Sequence, residues 1–153
     1  MTEPVGISTE AARAPRARLS TKRQAIWDKS GGHCWYCGCP LPDKGWHADH
    51  VEPIERKLQY QFAKGLFTTD ECDHPERDTE DNKVPTCASC NIQKGSLSVE
   101  EFRYKIEHFI ISLNRDHTQY AVAKRYGLIQ ETGIRVVFWF EQSGEVTRGA
   151  RDA

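Results

Sequence analysis

The chain has 153 residues and a formal net charge of −1, with 28% charged and 38% hydrophobic residues. That is the length of one domain, able to bury roughly two-thirds of its unfolded surface without disulfide staples. Its apolar runs reach only about five residues where a membrane span needs about twenty, and no apolar leader is present. Transmembrane, secreted and collagen-like classes are set aside, and a cytoplasmic protein without membrane contact is the expectation.

Along the chain, residues 1–19 mix Ala, Pro, Arg and Thr without hydrophobic period and predict a disordered tail. Ser20 is placed to cap a short helix through Lys29, packed by Ala25, Ile26 and Trp27 and stopped by Gly31 and Gly32. Gly45 to Val51 predicts a strand, with Trp46, Ala48 and His50 on one face and His47 and Asp49 on the other. Pro53 ends it. Ile54, Leu58 and Phe62 repeat every four residues, which predicts a short helix before Gly65. Thr68 to Asn82 holds seven acids against Arg77 alone, a net of −6 that leaves +5 for the remainder. That stretch reads as a solvated loop, and it can mask a basic face elsewhere.

Asn82 to Thr86 predicts a second extended segment, and Cys87 to Lys94 one or two helical turns closed by Gly95. Ser98-Val99-Glu100-Glu101 is a capping box. Behind it Phe102, Ile106, Phe109, Ile110 and Leu113 form the apolar stripe of one helix, read as core. Another helix is expected from Thr118 to Tyr126. Ile134 to Glu141 reads as a strand on its β-branched and aromatic content, and 143–153 as a frayed end. The whole predicts an α+β domain over 20–142, with a core at 31–95, a helical extension at 98–127 and a C-terminal strand at 134–141.

Six cysteines without a leader point to thiols or metal ligands. Cys34-Trp35-Tyr36-Cys37 and Cys87-Ala88-Ser89-Cys90 are two CxxC pairs separated by 49 residues. One such turn presents two thiolates to an ion, and two complete a closed tetrahedral shell. The expected ion is therefore a structural Zn²⁺. Redox chemistry fits less well, because no βαβ context surrounds either pair. Cys39 and Cys72 are left over, and a register using Cys39 in place of Cys37 stays open. Trp35 and Tyr36 are expected to pack around the knuckle.

Asp49 offers a hard anionic oxygen suited to Mg²⁺ or Mn²⁺. The neighbouring His50 offers an imidazole, a group that ordinarily titrates near pH 6.5 and can take a proton from water. In a regular strand adjacent residues face opposite ways, so the two could not both reach one phosphate.

The order CxxC, Asp-His-x-x-Pro, Asn, CxxC-Asn-x-x-Lys, set between Gly31 and Gly95, resembles the HNH endonucleases with a four-cysteine zinc site and the ββα-metal fold. The flanking segments resemble phage-encoded members. The resemblance implies cleavage of DNA, double-stranded by expectation, with Asp49 and Asn91 holding a catalytic Mg²⁺ or Mn²⁺. It makes His50 the general base at a distorted strand end beside Pro53, and Asn82 the residue that ties the loop between the strands. Asn91 stands where the family name has His, which makes this an HNN variant. Lys94, about one turn beyond Asn91, is expected to contact phosphate rather than only oppose the helix dipole. His47 is a further candidate for metal or phosphate, while His33, His74, His108 and His117 read as ordinary surface or core residues. A phage terminase or a second copy of the chain is the protein partner that the resemblance suggests. The competing reading is a zinc-knuckle DNA-binding module without catalysis, which leaves Asp49, His50 and Asn91 unexplained.

Overall fold

The computed structural model describes residues 18–143; nearly all of the expected tail and of the expected frayed end lies outside the described residues. Helix α1 (Thr21–Asp28) begins where the Ser20 hydroxyl accepts from the Arg23 N–H. It buries Ile26 and Trp27 and leaves Ala25 exposed. Strand β1 (His47–His50) pairs antiparallel with β4 (Lys83–Thr86), His47 opposite Thr86 and His50 opposite Lys83. Helix α2 (Ala88–Lys94) follows β4 at once and ends at Gly95, whose φ of +52° suits a residue without a side chain.

These pieces close around one buried cluster. Ile26 and Trp27 come from α1, Cys34 and Tyr36 from the first cysteine turn, and Leu41, Trp46, Val84, Phe102 and Phe138 complete it. Trp27 meets Trp46 edge to face with centroids 5.5 Å apart, the geometry that aromatic quadrupoles favour. The Trp35 N–H donates to the Pro85 carbonyl at 2.9 Å, so the first cysteine turn is bonded to β4.

The segment expected as a helix before Gly65 is instead a hairpin, β2 (Arg56–Gln61) with β3 (Gly65–Cys72). The Lys64 N–H closes the turn on the Gln61 carbonyl at 2.9 Å, and Gly65 at φ +71° turns the chain back. Of the three periodic residues only Ile54 is buried; Leu58 and Phe62 are 59% and 95% exposed. A helix needs that whole face to be buried, and among the described residues nothing covers its Leu58 and Phe62 end. The hairpin also takes up the first part of the acidic stretch, which continues through a 3-10 turn at Pro75–Arg77.

The helix expected behind the capping box is two helices, α3 (Val99–Glu107) and α4 (Phe109–Asp116). The His108 ring Nδ1–H donates to the Tyr104 carbonyl at 2.7 Å, a local side-chain bond at the break between them. Phe102 is buried, but Ile106, Phe109 and Leu113 are half-buried and Ile110 is exposed, so only the first part of the stripe is core. Helix α5 (Thr118–Arg125) lies where it was expected.

The expected C-terminal strand is absent. Residues 131–138 form no ladder and 139–143 are helical. Neither two-stranded sheet takes this segment as a third strand, and β propensity without a ladder partner is not a strand. The aromatic residues there pack on the first cysteine turn. Trp139 and Phe140 N–H groups donate to the Tyr36 and Trp35 carbonyls, and Trp35 stacks on Phe140. Arg103 of α3 fastens this strap by pairing with Glu141 and donating to the Val136 carbonyl. The strap fits closely: a Cβ on Gly38 would lie 2.3 Å from Trp139 Cδ1. The fold is thus mixed α+β with two small two-stranded sheets, and no helix among the described residues is long and apolar enough to cross a membrane.

Candidate metal centre and adjoining cleft

The two CxxC turns meet. The Sγ atoms of Cys34, Cys37, Cys87 and Cys90 all lie within 4.8 Å of one another, with Cys37 and Cys87 3.9 Å apart. Tetrahedral bonds of 2.3 Å to a shared Zn²⁺ would separate sulfurs by about 3.8 Å, so this donor set fits a zinc ion. Four cysteines here could hold such a metal. Cys39 is outside the tetrad, which settles the register in favour of Cys37. The Cys34 N–H donates to the Cys39 carbonyl and Cys87 caps α2, so each pair is held by its own turn. Crowding of the sulfurs sets them competing for protons. Hydrogen bonds from Cys34 and Cys90 draw the Cys37 thiol down to about 3, while those with Cys34 and Cys37 push Cys90 far up.

Beside the tetrad is a cleft of about 390 Å³ whose lining includes Asp49, His50 and Asn91. The strand argument against Asp49 and His50 sharing a site fails for a local reason. His50 is the last ladder residue, and the chain bends at Val51 and Glu52 immediately after it. Asp49 is 7% exposed, and its Oδ2 accepts from the Tyr36 hydroxyl at 2.8 Å. Lys94 Nζ lies 3.1 Å from the same oxygen and donates to the His50 carbonyl at 2.7 Å. Burial, then the Asp49 charge, drives the Tyr36 phenol well above its ordinary range, so it stays a donor.

Lys94 therefore does not face outward to phosphate. Its side chain is wholly buried and its ammonium is committed to Asp49 and the His50 backbone. His47 is exposed and is not among the residues lining the cleft. The cation that does line it is Arg56, at the base of the hairpin, with a side chain 44% exposed. No sequence signal singled out Arg56, because the segment was read as a helix.

Asn82 ties two backbone segments together. Its Oδ1 accepts from the Glu52 N–H at 2.9 Å, and its Nδ2 donates to the Glu52 and Arg77 carbonyls at 2.8 Å each. The next residue along, Asp78, points its Oδ1 at His50 Nε2, 2.9 Å away, and at Lys83 Nζ, 2.6 Å away. Lys83 first, then His50, holds the Asp78 carboxyl down at about 2. The acidic stretch is thus more than a solvated loop, because one of its carboxylates reaches the candidate site. Among the ordinary histidines, His33 is buried and stacks on Trp139 at 5.7 Å.

Comparison with family models, curated proteins and solved structures finds no match to this chain.

Proposed function

We propose that the protein is a metal-dependent HNH endonuclease that hydrolyses DNA phosphodiester bonds, built on a ββα-metal core of β1, β4 and α2. One observation carries the reading: Asp49 and His50 from the strand end and Asn91 from the helix line a single cleft beside a four-cysteine cluster. A DNA-binding module would need the cysteines but not that convergence.

In this reading the zinc is structural, since four thiolates close its shell. Asp49 and Asn91 would hold Mg²⁺ or Mn²⁺, which supplies positive charge to the phosphate when bound. Asp49 is suited to the task because both protein donors fall on Oδ2. His50 takes a proton from the attacking water. The new bond runs from water oxygen to phosphorus, and the bond to the 3′ oxygen breaks, leaving 5′-phosphate and 3′-hydroxyl ends. Arg56 takes the phosphate-contact role first expected of Lys94. DNA is the partner, and the cut is a nick unless two copies or two binding events act together.

The test is conversion of supercoiled plasmid to open circle by purified protein in Mg²⁺ or Mn²⁺, with a chelator control. Nicking that requires the ion supports the nuclease; DNA binding with no nicking under any ion supports the non-catalytic module.

A further inference from the structure

Which nitrogen of His50 accepts the proton follows from its neighbour in the acidic stretch. Asp78 Oδ1 receives both His50 Nε2 at 2.9 Å and Lys83 Nζ at 2.6 Å. An ionised carboxylate only accepts and an ammonium only donates, so the Nε2 position must carry the hydrogen. The neutral ring then keeps its lone pair on Nδ1.

We propose that Asp78 is the positioning residue of His50, fixing the Nε2–H tautomer and leaving Nδ1 as the atom that accepts the proton. The catalytic half of this rests on the nuclease reading above. In the reaction the water O–H bond breaks, its proton goes to Nδ1, and its oxygen joins phosphorus. The 3′ oxygen departs with its electron pair and is protonated from solvent. Asp78 gains no proton; it faces the imidazolium that forms.

The backbone around the pair is arranged for this contact. Asn82 bridges the Glu52 backbone, two residues after His50, to the Arg77 carbonyl, one residue before Asp78. Its single amide clamps the two segments that carry the partners. The pair itself is half open to water, with side-chain exposures of 19% for His50 and 49% for Asp78, and exposed ion pairs add little to stability. Its consequence lies in the orientation of the ring.

The experiment uses the zinc-loaded protein and two variants, Asp78→Ala and Asp78→Asn. Long-range proton–nitrogen NMR correlations report the His50 tautomer, and nicking kinetics report kcat and KM. The wild type should show Nε2–H. Asp78→Ala should mix the tautomers and lower kcat about 10–100-fold, the size of effect that removing the outer partner of a metal-bound histidine has, with KM nearly unchanged. Asp78→Asn should recover much of the rate, because Lys83 pins an acceptor oxygen in the same place. Wild-type kcat in Asp78→Ala, or a His50 tautomer that does not respond to it, overturns the proposal. A wild type that nicks nothing, or a His50→Ala variant that nicks equally well, overturns the nuclease reading and with it the catalytic half. The NMR result still decides the pairing on its own.

Discussion

The Tyr36 hydroxyl lies 2.8 Å from Asp49 Oδ2 and donates to it, which joins the first cysteine turn to the candidate catalytic strand. Tyr36 sits between Cys34 and Cys37, and Lys94, the other partner of Oδ2, lies four residues beyond Cys90. Each cysteine pair thus sends one donor to the same carboxylate oxygen. A zinc on the four sulfurs would fix the positions of both donors, so the candidate metal site and the Asp49 carboxylate are mechanically coupled.

Tyr36→Phe isolates that link. The ring still fills its place among Phe102, Phe138 and Phe140, and only the hydrogen bond to a charged group is lost. The expected cost is about 2 kcal/mol, or about 4–8 °C in Tm for a chain of this size, with zinc retained and cleavage slowed. An unchanged Tm by calorimetry would show that the hydroxyl carries no weight.

Asp49→Ala strips the partner from a buried ammonium. Such a change typically costs about 3–5 kcal/mol, while replacing both members by apolar groups is often neutral. The double variant Asp49→Ala/Lys94→Met should therefore be more stable than Asp49→Ala alone, in denaturant melts of both. Equal or lower stability of the double variant would contradict the buried pair.

Cys87→Ser, or exhaustive chelation, should unfold the protein. The tetrad joins segments about fifty residues apart, and structural zinc contributes on the order of 10 kcal/mol in zinc-finger peptides. Zinc content and far-ultraviolet circular dichroism check this together; a folded, metal-free variant of wild-type Tm would contradict it.

The strap has its own pH signature. Arg103 beside Glu141 holds that carboxyl below its ordinary 4.5. A depressed folded-state value means stability that is present above 4.5 and lost as pH falls through the folded value. The denaturant midpoint should therefore drop in acid, and Glu141→Gln should lower it near neutral pH while flattening the acid slope. An unaltered slope in the variant would place the acid sensitivity elsewhere.

How much of this was legible in the chain differs by element. The cysteine spacing foretold the tetrad because metal geometry leaves few alternatives, and Ser20, Gly95 and the Ser98 capping box marked their helix ends through local hydrogen bonds. Ile54, Leu58 and Phe62 misled because periodicity records which residues are apolar, not whether anything covers them. Ile134 to Glu141 misled because strand propensity does not supply a ladder partner, and Trp139 and Phe140 bond to the first cysteine turn instead. Asp78 was hidden among seven acids, and the turn at Pro75–Arg77, clamped by Asn82, distinguishes it by bringing it to His50.

The most direct measurement is single-turnover plasmid nicking by the wild type and His50→Ala in saturating Mg²⁺ or Mn²⁺, with DNA affinity and zinc content determined on the same samples. The account predicts ion-dependent nicking by the wild type and a loss of about 10²–10⁴-fold in the variant, as for other general bases, at unchanged affinity and zinc. Equal nicking by both proteins, or none by the wild type while it binds DNA, would contradict it.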